Sequence, residues 1–106
     1  MRDITAKTLH DWQDGPQQFY LVDTLPPTAF EKGHLPGAIH IMSDNILEDA
    51  PHRLPDKAMP VVVYCASERC KRAGLSAARL ESLGYADVYH FLGGKRAWQE
   101  AGYSLA

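Results

Sequence analysis

The segment Val61-Val62-Val63-Tyr64-Cys65-Ala66-Ser67-Glu68-Arg69-Cys70-Lys71-Arg72-Ala73 changes character twice within thirteen residues. Its first four residues are β-branched or aromatic with no polar interruption, the pattern of a central parallel strand covered on both faces. From Ala73 to Leu83 the spacing is helical, rich in Ala, with Leu75, Leu80 and Leu83 as apolar positions and Gly84 placed for a left-handed C-terminal cap. A buried strand feeding a helix through a short loop is the repeating unit of an α/β fold with right-handed crossovers. The loop here runs from Cys65 to Arg72.

The same alternation extends outward on both sides. Toward the N-terminus, Phe19 to Asp23 reads as a short buried strand ending in a carboxylate, stopped by Pro26-Pro27, and Ala38 to Ile41 as a second. Thr5 is placed to cap a surface helix from Ala6 to about Gln13, with Leu9 and Trp12 on its inner face and Gly15-Pro16 at its end. Thr28 to Lys32 predicts a brief helix ended by Gly33. Between Asp44 and Pro60 the chain is polar and holds Pro51, Pro55 and Pro60, which leaves room for only a short helix around Asn45 to Asp49. Toward the C-terminus, Val88 to Phe91 reads as a last strand, and Gly93-Gly94 opens a final helix that carries Trp98 inward and stops at Gly102.

In open α/β sheets ligands bind beyond the carboxyl ends of the strands, and Cys65 occupies such a position. A helix N-terminus offers unpaired N–H groups and about half a positive charge, which favours a thiolate or another anion. The nearby charges point the same way, because Glu68, Arg69, Lys71, Arg72 and Arg79 sum to +3 within twelve positions. At an ordinary thiol pKa near 8.5, about 3% of the cysteine is ionised at pH 7, whereas a shift to roughly 6.5 would ionise about 75%. Cys65 is therefore expected to rest as a thiolate. A cysteine ending a Val-rich strand is also a common small core residue, and the basic loop is what favours the reactive reading. Cys70 stands five positions on, where it could resolve an oxidised Cys65, shape the loop, or do neither. Zinc would need two ligands besides the cysteines, and His34, His40, His52 and His90 are scattered singly, so no metal site and no dissociable cofactor are expected. His34 is expected to make turn hydrogen bonds.

The 106 residues suit one domain, and 45% hydrophobic with 23% charged residues excludes disordered and collagen-like classes. The longest apolar run, Val61 to Ala66, is six residues, far below the roughly 20 of a membrane-spanning helix. A formal net charge of −2 supplies no global field for nucleic acid or for an anionic membrane. The opening residues show no secretory signal, and two cysteines make no disulfide framework, so the expected compartment is the cytoplasm.

Three blocks together resemble the rhodanese family of single-domain sulfurtransferases over nearly the whole chain. Leu21-Val22-Asp23 followed by Phe30-Glu31-Lys32-Gly33-His34-Leu35-Pro36-Gly37-Ala38 is similar to the family's first signature, Tyr64-Cys65 to its catalytic segment, and Gly93-Gly94-Lys95-Arg96-Ala97-Trp98 to its closing signature. The resemblance implies a five-stranded parallel sheet with helices on both faces. It implies that Cys65 takes the outer sulfur of a donor such as thiosulfate and passes it, as a persulfide, to cyanide or a thiol, with a protein acceptor also conceivable. It further implies that backbone amides of the loop, from Ala66 through Ser67, Glu68, Arg69, Cys70 and Lys71 to Arg72, hold the persulfide, with Arg69, Lys71 and Arg72 binding the donor's anionic oxygens.

The sequence departs from the family in three places. The commonest loop has an Arg five residues after the cysteine, where Cys70 stands, and this loop is two residues longer. An Arg and a Glu that can pair are replaced together by Leu25 and Ala29. Related phosphatases separate Cys and Arg by five residues, whereas Cys65 and Arg72 are separated by six, which disfavours phosphate chemistry. A non-catalytic binding or redox-sensing module built on Cys65 and Cys70 is the competing expectation.

Overall fold

Val61, Val62 and Val63 are fully buried in the computed structural model, which describes residues 1–106, and they form the middle of its sheet. In chain order the elements are β1 (Arg2–Asp3), α1 (Ala6–Asp14), β2 (Tyr20–Asp23), α2 (Pro27–Lys32) and β3 (Ile39–His40). A 3₁₀ turn (Ser43–Asn45) leads to α3 (Ile46–Arg53), β4 (Val61–Tyr64), α4 (Arg72–Ser82), β5 (Val88–Phe91) and α5 (Gly94–Glu100). The five strands lie in the order β1-β5-β4-β2-β3 and every pairing is parallel. β4 is flanked by β2 and β5, in register Val62 to Leu21 and Tyr89, so its unbroken apolar sequence has strands on both sides.

The twofold alternation of the strands sorts the core into two layers. Val61, Val63 and Cys65 face α3 and α4, packing with Ile46, Ala50, Ala73, Ala77 and Leu80. Val62 and Tyr64 face the other way, against Leu9 of α1, Leu35 and Trp98 of α5. Burying each of these large side chains contributes roughly 2 kcal/mol, so β4 anchors both layers. Because all strands run the same way, Asp23, His40, Tyr64 and Phe91 end at one edge of the sheet, and their loops gather there.

Two elements differ from the sequence expectation. The fifth strand is Arg2–Asp3, exposed and only two residues long, and it forms solely because the outer edge of β5 offers Tyr89 and His90 as partners. The helix expected to end near Asp49 runs through Pro51 to Arg53. Pro51 removes one intrahelical hydrogen bond, but buried Ile46, Ala50 and Leu54 pin this segment to the sheet. The Tyr85 hydroxyl lies 3.0 and 2.6 Å from the Ala50 and Leu54 carbonyls and satisfies the helix end. Elsewhere the ends shift by a residue or two. Gly84 adopts φ +94, the left-handed cap expected of it. Leu75, read as part of the apolar stripe of α4, is 48% exposed. No helix is long and apolar enough to cross a membrane.

Candidate active site

Cys65 follows directly on β4 and is only 1% exposed, facing the α3/α4 layer beneath the loop that climbs to α4. The base of that loop is clamped by α5. The Lys95 and Arg96 amides donate to the Cys65 and Ala66 carbonyls, each at 3.0 Å. This approach requires Gly94, whose φ is +57 and whose hypothetical Cβ would overlap the Cys65 carbonyl. At Gly93 a Cβ would collide with the Ala97 side chain. The Gly-Gly pair therefore lets one helix end touch the backbone that carries the cysteine.

Burial first, and then the groups around the sulfur, set its protonation state. Burial and the neighbouring Cys70 side chain push the Cys65 thiol up to about 12, while the amides of Ala73 and Ala66 pull it down. The loop folds on itself through Cys70 N–H to the Ser67 carbonyl at 3.1 Å and Arg69 N–H to Ser67 Oγ at 3.4 Å, so those two amides are already engaged. The Ser67 and Cys70 carbonyls face the sulfur instead. The thiol donates to the Cys70 carbonyl at 3.3 Å, with the Ser67 carbonyl at 3.9 Å. A carbonyl lone pair favours SH over S⁻. The expected resting thiolate is thus replaced by a neutral thiol. Of the amides expected from Ala66 to Arg72, Ala66 acts on the sulfur, and the second donor is Ala73, in the first turn of α4.

The cationic side chains do not converge either. Arg72 turns away from the cysteine and donates to Ser43 Oγ at 2.9 Å and Asp44 at 3.2 Å. This ion pair joins α4 to the loop after β3. Ser67, Glu68 and exposed Arg69 line a cleft of about 330 Å³ against Arg96 and Glu100 of α5. Half-buried Cys70, with Lys71 and Arg72, lines a second cleft of about 570 Å³, closed by Ser43, Asp44 and Leu75. Six of the eight loop residues therefore divide between two clefts that share no lining residue, and Cys65 lines neither. Ala73, Gly94, Ser43 and Asp44 were not among the sequence-predicted site residues. Of these only Gly94 left a signal, in the Gly-Gly pair.

The other face of β4 is a closed polar network. Tyr64 Oη donates to fully buried Asp23 at 2.7 Å and accepts from the Leu35 amide at 3.0 Å, and the Leu25 amide donates to Asp23 at 2.9 Å. Burial, followed by the Asp23 charge, pushes the Tyr64 phenol well above its usual range. His34 makes the expected turn hydrogen bond, its Nδ1 lying 3.0 Å from the Phe30 carbonyl, and its ring stacks on Phe30. Leu25, where the family often has a charge, is buried in the core layer, and Ala29 packs against it. The missing ion pair is replaced by apolar contact. No three His, Cys, Asp or Glu side chains gather in metal-ligating range.

A parallel sheet whose central strand delivers a buried cysteine into a loop braced by a Gly-Gly helix start defines a recognisable class. Residues 5–101 match the Rhodanese-like domain, and the chain belongs to that family. It is 34% identical over 79 residues to thiosulfate sulfurtransferase GlpE of Pseudomonas syringae pv. syringae, covering 74% of this chain and 71% of that one. It is 30% identical over 97 residues to the uncharacterized protein YqhL of Bacillus subtilis, covering 92% and 74%. A tRNA uridine(34) hydroxylase of Sodalis glossinidius is 32% identical over 96 residues, which is 86% of this chain but 26% of the hydroxylase. Among solved structures, the BH2092 protein of Bacillus halodurans superposes with a TM-score of 0.89 at 27% identity, over 99% of this chain and 76% of that one. A thiosulfate sulfurtransferase from Pseudomonas aeruginosa reaches a TM-score of 0.90 at 20% identity, covering all of this chain and 20% of that one, a likeness of fold.

Proposed function

We propose that residues 1–106 act as one sulfurtransferase unit in which Cys65 carries the transferred sulfur. The observation behind this reading is the position of the sulfur, at the end of the central strand and within reach of the Ala66 amide and of the Ala73 amide in the first turn of α4. In the first half-reaction Cys65 gives up its proton, and its thiolate attacks the outer sulfur of thiosulfate. The donor's S–S bond breaks, sulfite leaves with the bonding pair, and a Cys65 persulfide remains. In the second, cyanide or a thiolate attacks the outer sulfur and Cys65 departs as thiolate, so no external oxidant enters. Arg69, which makes no ion pair, attracts the anionic donor, since Arg72 is already paired. With a neutral resting thiol, donor binding must turn the Cys70 carbonyl away before attack. Two unpaired thiols suit a reducing compartment, and we place the protein in the cytoplasm.

Intact mass after incubation with thiosulfate tests this directly. The wild-type chain gains one sulfur and Cys65→Ser gains none; absence of any gain with thiosulfate or other sulfane donors defeats the proposal. A second reading, a redox-sensing module, draws on the inward carbonyls and the closeness of Cys70 to Cys65. It requires no sulfur uptake and a Cys65–Cys70 disulfide on mild oxidation.

A further inference from the structure

The outlet for the sulfur is a separate problem from its uptake, because Cys65 lies almost wholly out of solvent. An acceptor larger than a small ion cannot reach it while the loop keeps its fold. Cys70 bridges that gap. Its backbone carbonyl accepts from the Cys65 thiol at 3.3 Å and its side chain packs against the same core layer, yet it also lines the second cleft. This cleft shares no lining residue with the one that holds Arg69. Its walls carry exposed Lys71 and Leu75, while Arg72 and Asp44 neutralise each other. The net cation there suits a thiol that bears negative charge.

Building on the proposed sulfur carriage by Cys65, we propose that Cys70 is a second sulfur carrier, which takes the sulfane sulfur from Cys65 and presents it in the Ser43–Leu75 cleft to an anionic thiol. The Cys70 thiol loses its proton to solvent, and its thiolate attacks the outer sulfur of the Cys65 persulfide. The bond between that sulfur and Cys65 Sγ breaks, Cys65 leaves as thiolate and regains a proton, and Cys70 holds the persulfide. The exchange is isoelectronic and consumes no oxidant or reductant. The acceptor thiolate then attacks the same outer sulfur and frees Cys70. Donor and acceptor thereby use different openings.

Trypsin cuts after Arg69 and so separates the two cysteines, which makes the relay visible by peptide mass after thiosulfate loading and alkylation with iodoacetamide. In the wild type the extra sulfur is expected on both peptides, and in Cys65→Ser on neither. Cys70→Ser is expected to keep sulfur on Cys65, with its rate of transfer to glutathione falling at least about tenfold further than its rate of transfer to cyanide. Sulfur confined to Cys65 in the wild type, with equal glutathione rates in the two proteins, overturns the relay and leaves the proposed function standing. Release of hydrosulfide with a Cys65–Cys70 disulfide in a single turnover also overturns it, since the attack then falls on the inner sulfur. Failure of the wild type to load at all removes both proposals at the earlier step.

Discussion

Tyr64 and Cys65 are consecutive and both buried, but they face opposite layers of the sheet and meet opposite treatment. On the Tyr64 side every polar group is answered, by Asp23, Leu25 and Leu35, and the turn after α2 is fastened to the centre of the sheet. On the Cys65 side the sulfur meets two carbonyls and two amides that favour different protonation states. A satisfied buried network rigidifies. A site with competing partners is one whose balance a bound anion can tip. The contrast teaches that a single strand can fix the architecture through one face and leave the chemistry adjustable on the other.

The largest effect expected on this contrast is that of Cys65→Ser, which abolishes sulfur uptake in a mass assay while leaving the thermal unfolding curve nearly unmoved. Next is the pH dependence of Cys65 alkylation, followed by peptide mass. With its pKa pushed up to about 12, the thiolate fraction rises tenfold per pH unit. The rate should therefore climb roughly 100-fold from pH 7 to 9 without levelling off, whereas an ordinary thiol begins to saturate near 8.5. A plateau below pH 7 would show that the amides outweigh the carbonyls after all. The same raised pKa gives a stability contribution that is intact below about pH 9 and is lost as pH rises toward 12.

Gly94→Ala forces a side chain into the Cys65 carbonyl, and denaturant titration should show a loss of roughly 2–4 kcal/mol together with slower sulfur uptake. Tyr64→Phe leaves Asp23 with one donor fewer and the Leu35 amide unpaired, at about 1–3 kcal/mol by the same titration, with sulfur uptake retained. If uptake falls as far as stability, the two faces are coupled and the contrast fails. The smallest effect separates the two arginines. Arg69→Ala should raise KM for thiosulfate severalfold, and Arg72→Ala, already held by Asp44, should change it less.

The strand at the centre of this comparison was readable because Val61 to Tyr64 has only one plausible environment, and the position of Cys65 followed from it. The Gly-Gly pair and the turn from Gly33 to Ala38 were equally plain, since each serves a local backbone need. Arg2–Asp3 was not readable, because two exposed charged residues become a strand only when a neighbouring edge accepts them. The helix through Pro51 was hidden for a similar reason, its stability coming from Tyr85 and the core rather than from its own residues. At the site, charge counting located the loop but not its inward carbonyls, which depend on Ser67 engaging the Arg69 and Cys70 amides. Nor could it show that Arg72 is drawn off by Asp44, a residue 28 positions away.

The loop hangs between two fixed posts, one where α5 grips the carbonyls of Cys65 and Ala66, the other where α4 begins at Arg72. Substitutions from Ser67 to Lys71 can therefore accumulate without loosening the scaffold beneath them. Rewriting those five residues remakes the rim of both clefts, and a laboratory graft of another loop between the same posts has a ready-made socket.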